Sequence, residues 1–183
     1  HPALDLAVQM TTVGPFRDYL RSLDFSTGES VVAWRDDTGM YERKTIVSHA
    51  DDALVMRIGG DMPVDAVISL AVHDPKDAPD IAFESSVEDA ALCFVGTYAD
   101  QSLYPDGGQF GAVARVTVVG EHAEHVVRDN EIHVTGADSI LIVLKLFANE
   151  EASAAISRLR SALDTCEDDY VHLLDRHVSL HKD

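Results

Sequence analysis

The sequence predicts a mostly β protein, an antiparallel sandwich followed by two short helices. Three observations predict it. Short runs rich in β-branched and aromatic residues recur through the first 149 residues, each bounded by Gly, Pro, Asp or Asn turn signals. No helical periodicity separates those runs, which excludes doubly wound and barrel-type parallel α/β architectures. After Asn149 the apolar period changes from two to about 3.6.

The elements follow in order. Tyr19 to Asp24 alternates Tyr19, Arg21 and Leu23 against Leu20, Ser22 and Asp24, and Phe25 to Gly28 turns the chain. Glu29 to Arg35 is the next strand, Asp36-Asp37-Thr38-Gly39 a turn, and Met40 to His49 a long strand, so the start reads as an antiparallel meander. Ala53 to Ile58 and Val64 to Val72 are strands separated by a loop at Gly59-Gly60-Asp61-Met62-Pro63, because paired glycines and a proline interrupt a ladder. A polar connection, His73 to Asp80, leads to strands at Ile81–Ser85 and Ala91–Thr97. The segment Tyr98 to Gln109, with Tyr104-Pro105-Asp106-Gly107-Gly108, is a long loop. Phe110–Val119 is a strong strand. Ala123–Val127 and Glu131–Val134 form a hairpin, and Gly136-Ala137-Asp138 precedes a last strand, Ser139–Phe147.

Glu150 to Leu163 carries Ala155, Ile156, Leu159 and Leu163 at helical spacing. A second helix, capped by Asp164 or Thr165, has the stripe Tyr170, Leu173, Leu174, His177 and Val178, with Glu167 and Asp168 in its first turn. The expected organisation is a β-sandwich over residues 1–149 and a helical linker over residues 150–183.

Composition narrows the function. With 14 Lys+Arg against 32 Asp+Glu, the formal net charge is −18. No basic run exceeds Arg43-Lys44, so neither a nucleic-acid backbone nor an anionic membrane surface is an expected partner. No apolar run reaches the ~20 residues of a membrane-spanning helix. The chain reads as soluble, with the compartment open between cytoplasm and secretion. His1-Pro2 is not a natural start, so the chain reads as processed, cloned or cut from something longer. Cys93 and Cys166 read as two independent small hydrophobes rather than a bridge.

Catalytic and metal signatures are weak. His122 and His125 would point to opposite faces of an extended segment. His177 and His181, at i and i+4 on the second helix, could share a metal, but no H-E-x-x-H frame surrounds them and packing roles are favoured. The acidic groups at Asp36-Asp37, Asp51-Asp52 and Glu167-Asp168-Asp169 read as turn and helix-start charges, since neighbours on a strand point opposite ways and cannot form a glycosidase pair. No nucleophile frame and no phosphate-binding glycine loop occurs. No cofactor, metal or catalytic residue is therefore expected. Trp34, Tyr98, Tyr104 and Phe110 are the aromatics from which a sugar-stacking platform could be built, with Tyr98 and Tyr104 the weak candidates for substrate contact.

Several segments together resemble a known family. Tyr19 to Gly28 is similar to the "Y-x-R-x-L-D-L-x-T-G" strand and turn of the N-terminal β-domain of family 95 glycoside hydrolases, the α-L-fucosidase-like enzymes distantly related to family 65. Tyr41 to Ser48 resembles their "Y-x-R-E-x-F-x-S" strand, with Lys44 where the family has Glu. Asp51 to Ile58 resembles "p-D-x-V-x-V-R-L". Ile132 to Leu144 is similar to the "V-x-G-A-D-x" hairpin and final strand, and Tyr170 to Val178 to a "Y-x-x-L-x-x-R-H" helix. The order is collinear across about residues 19–183.

The resemblance implies a super-β-sandwich of the galactose-mutarotase-like kind, shared with family 65 N-terminal domains. The Gly-rich entry strands of the family have no counterpart here, and its catalytic groups belong to an (α/α)6 barrel expected after Asp183. The implied function is a non-catalytic domain of a hydrolase that removes α-linked L-fucose or a related sugar from oligosaccharides. Its implied partners are the oligosaccharide substrate and its own barrel, packed in cis against Leu159, Leu173 and Leu174. A fragment of a family 65-like phosphorylase and a free-standing carbohydrate-binding module are the alternatives. Two structural expectations accompany it: Gly28 and Gly39 relieve turn strain, and Arg21 and Arg43 face each other with carboxylates between them.

Overall fold

The computed structural model describes residues 4–73, 81–99 and 108–181. Strand β1 (Asp5–Met10) precedes a meander of β2 (Arg17–Asp24), β3 (Glu29–Arg35) and β4 (Met40–Ser48). Then come β5 (Ala53–Ala71), β6 (Ile81–Glu88), β7 (Ala91–Tyr98), β8 (Gln109–Val119), β9 (Glu124–Arg128) and β10 (Glu131–Ala148). Helices α1 (Ala152–Asp164) and α2 (Tyr170–His181) close the described chain.

Hydrogen bonding joins every strand, in the order β2-β3-β4-β5-β10-β8-β7-β6, with β1 also on β5 and β9 also on β10. The long strands β5 and β10, of 19 and 18 residues, make this possible. Their Leu54–Gly59 and Ser139–Leu144 portions pair in the middle of the large sheet. Beyond the bends, Val64–Ile68 and Ile132–Ala137 pair again, now flanked by β1 and β9 in a smaller sheet. The bend in β10 is a pair of register shifts around Ala137. Gly136 sits there at φ +67°, a left-handed conformation that costs a side-chain-bearing residue about 1 kcal/mol or more.

The two predicted breaks are therefore bends within strands. Gly59 and Gly60 stay in the ladder opposite Glu42 and Tyr41. Glycine and proline here allow a strand to change sheets without ending it. Strand β1 carries no turn signal or strong alternation and is an addition to the sequence reading. Gly28 takes φ +67° as its turn requires, but Gly39 keeps an ordinary φ. A Cβ on Gly39 would instead meet the Met62 side chain at 2.8 Å.

Pleating sorts the side chains into two cores. Ile140, Ile142 and Leu144 join Met56, Ile58, Ala112, Ala114, Leu92 and Phe94 under the small sheet, whose Val64, Ala66, Ile68, Leu70, Ile132 and Val134 face them. The alternate residues Val55, Val113, Leu141, Val143 and Phe147 form a second core with the helices. Each fully buried aliphatic side chain contributes about 1.5–3 kcal/mol. The helices expected as an exit from the sandwich thus fold back onto the outer face of the large sheet. Helix α1 buries Ala152, Ala155, Leu159 and Leu163, so three residues of the stripe expected from spacing are buried and Ile156 is partly buried beside them. Helix α2 begins at Tyr170, with the Asp169 carboxylate accepting the Val171 amide at 2.7 Å, so Glu167 and Asp168 precede the helix.

Candidate functional site

A cleft of about 300 Å³ opens where the small sheet leaves the β2–β4 wing of the large sheet uncovered. Its floor is a register row. Arg21 of β2 lies opposite Val32 of β3, Val32 opposite Arg43 of β4, and Arg43 opposite Ile58 of β5. Strand spacing of ~4.8 Å places the two arginine Cα atoms ~10 Å apart on one face. Trp34 extends the floor, Val8, Met10 and Thr12 form one wall, and Phe16 and Tyr19 form the rim.

Local forces fix these groups. Trp34 is 8% exposed and stacks on Tyr41 at 6.0 Å. Its Nε1 has no acceptor among the described residues. The Arg21 guanidinium lies 5.5 Å from the Tyr19 ring centre, and its Nε donates to the Tyr19 hydroxyl. Arg21 and Arg43 share a face as expected, but Tyr19 rather than a carboxylate accompanies Arg21. The Arg43 side chain has no hydrogen-bond or ion-pair partner among the described residues.

The cleft rim is held by Asp36. Its carboxylate accepts the amides of Val13 at 3.0 Å, Thr38 at 2.7 Å and Gly39 at 3.2 Å, and the Thr38 hydroxyl at 2.6 Å. The Thr38 hydroxyl, followed by the Val13 amide, holds the Asp36 carboxyl far below the usual carboxylate range. The acidic pair Asp36-Asp37 is thus a turn lock, and Asp37 pairs with Arg17.

The other sequence candidates lie elsewhere. Tyr98 on β7 packs against Phe110 at 5.4 Å, and Tyr104 falls outside the described residues. Tyr98 and Trp34 sit on strands five places apart in the sheet order, ~24 Å, so they do not share a platform. Leu159 and Leu173 are 3% and 0% exposed, buried within the chain against the large sheet, and Leu174 is partly buried beside them. Outward-facing apolar residues on α2 are Val171 and Leu180, 59% and 54% exposed.

The helix face is tied down by charge. Arg115 on β8 donates to the Leu163, Cys166 and Glu167 carbonyls at the end of α1 and pairs with Asp168. Asp51, between β4 and β5, receives Arg176 of α2 at 2.9 Å, while Lys145 donates to the Asp51 and Asp52 carbonyls. Both cysteines are free; Cys93 lies within the second core and Cys166 at its edge, and burial pushes the Cys166 thiol up. Among the described residues no three His, Cys, Asp or Glu side chains are grouped to hold a metal ion. No described helix is long and apolar enough to cross a membrane.

Bent long strands shared by two sheets, with helices on the outer face of the larger, define an antiparallel super-β-sandwich. The family model described as "Glycosyl hydrolase family 65, N-terminal domain" matches residues 1–153, and the chain belongs to that family. The matching family is 65, not the family 95 that the sequence motifs resemble. Turn and strand motifs such as Tyr19–Gly28 follow the shared fold, so they do not separate these distant relatives. Among solved structures, "Putative kojibiose phosphorylase from human microbiome" is similar, with a TM-score of 0.63 at 11% identity. The alignment covers 92% of this chain and 25% of that chain, so this chain spans about a quarter of that protein's length. No curated protein matches.

Proposed function

We propose that the chain is the non-catalytic N-terminal domain of a glycoside phosphorylase, packing on a catalytic barrel and shaping its rim. The observation that carries this reading is the match of the β-sandwich with its helices over 92% of the chain to a phosphorylase described as acting on kojibiose. Family 65 membership supports it. In the whole protein, phosphate oxygen would replace the aglycone oxygen at the anomeric carbon, giving a sugar 1-phosphate and the free acceptor sugar.

We place the packing role on the exposed apolar residues of α2, Val171 and Leu180, which flank its buried stripe on either side. In the full gene product, Val171→Asp combined with Leu180→Asp lowers the melting temperature and the turnover, while leaving the 183-residue chain alone unaffected. Unchanged melting and turnover in the full product would remove the packing role.

A further inference from the structure

The geometry points to the cleft above Val32 as a binding site for an acidic saccharide, a sugar ring bearing a carboxylate. Three observations carry it. First, Arg21 and Arg43 flank Val32 in one register row, and no carboxylate lines the cleft among the described residues. Two such guanidiniums without a counter-charge between them are notable in a chain of net charge −18. Second, the rim presents the exposed rings of Phe16 and Tyr19, whose apolar faces suit the C–H side of a pyranose. Third, Trp34 is over nine-tenths buried and stacked on Tyr41, which gives the cleft a fixed apolar floor.

The charge balance favours this occupant. The remote acidic groups repel an anion, but a Debye length of ~8 Å at physiological salt screens them. A guanidinium in contact with a carboxylate is screened far less and binds it through paired N–H donors. The volume, about 300 Å³, lies at the small end of ligand clefts and suits one or two sugar rings rather than a peptide strand.

Trp34 is the only tryptophan, so its emission reports the cleft directly. The experiment titrates the 183-residue chain with α-1,4-digalacturonate and follows that emission. The expected result is saturation with a midpoint at or below about 1 mM. Neutral α-1,4-galactobiose binds at least ~10-fold more weakly, and Arg43→Gln weakens digalacturonate ~10-fold with an unchanged circular dichroism spectrum. Arg21→Gln serves the same purpose should Arg43→Gln fail to fold. No saturation by about 10 mM would overturn the proposal. So would equal binding of galactobiose, of inorganic phosphate or of triglutamate, or indifference to both arginine variants. Because the readout is binding, its failure leaves the phosphorylase reading standing.

Discussion

Tyr170, the first residue of α2, donates its phenolic hydrogen to the Glu29 carboxylate at the head of β3 over 2.8 Å, across 141 residues of sequence. The ring is 6% exposed. Burial first, and then the Glu29 carboxylate, push the Tyr170 phenol far above its ordinary value. Tyr170→Phe keeps the ring and removes the bond, so it should cost about 1 kcal/mol in denaturant unfolding. Because the folded value is raised, this tyrosine supports the fold fully below the unfolded value of ~10, and that support fades as pH rises through the folded value. The stability gap between native and Tyr170→Phe chains should therefore narrow above about pH 10.

Arg115 joins the end of α1 to β8 by accepting no proton and giving several. Its fork spans the Leu163, Cys166 and Glu167 carbonyls and the Asp168 carboxylate. Its side chain is only 17% exposed. Arg115→Met should destabilise by about 2 kcal/mol, from orphaned helix-end carbonyls. Arg115→Lys should recover little, since an ammonium lacks the planar fork. Full recovery by lysine in thermal melts would show that charge alone matters there.

Asp36 makes the cleft rim acid-sensitive. Its folded carboxyl is depressed by the Thr38 hydroxyl and the Val13 amide, so it stabilises above the unfolded value of ~3.9 and loses that support as pH falls through the folded value. Asp36→Asn should lower the melting temperature by a constant amount above about pH 5, with the gap closing below pH ~4. A gap independent of pH down to strong acid would refute the carboxylate's role.

Leu173 and Val171 separate internal packing from surface. Leu173 is wholly buried against the sheet, so Leu173→Ala should cost about 2–5 kcal/mol in the chain by itself. Val171→Asp, at an exposed position, should stay within about 0.5 kcal/mol. Equal effects in calorimetry would mean that α2 does not dock on the sheet.

Much of the fold is legible in the sequence wherever alternation and turn chemistry agree. Glu29–Arg35 is read to the residue, and the stripe from Ala155 to Leu163 follows from helical spacing. The failures are physical. Gly59-Gly60 and Gly136 are turn signals locally, yet the ladder partners on both sides of β5 and β10 carry the strands through. Local reading cannot see that a strand will have partners in two sheets. The two-residue hairpin at Asp129-Asn130, with both residues at positive φ, shows local chemistry and topology in agreement, whereas at Asp89-Ala90 the topology holds Ala90 at φ 59° against its side chain's preference.

The cleft was half legible. Arg21 and Arg43 are expected on one face from meander alternation, and the structure places them there. Tyr19 beside Arg21 follows from the same alternation, which puts both on one face, whereas the bulge at Asp18, φ 51°, between Arg17 and Leu20 has no signal in the sequence. The wall from Val8 to Thr12 comes from β1 and the turn after it, which carry no pattern strong enough to announce themselves.

The most direct test of the account is the phosphate dependence of cleavage by the full gene product acting on kojibiose and related α-linked disaccharides. The account predicts a sugar 1-phosphate that accumulates only when inorganic phosphate is present, and no turnover by the 183-residue chain alone. Release of free sugar at the same rate without phosphate, or of free fucose from fucosylated oligosaccharides, would contradict it and return the hydrolase reading.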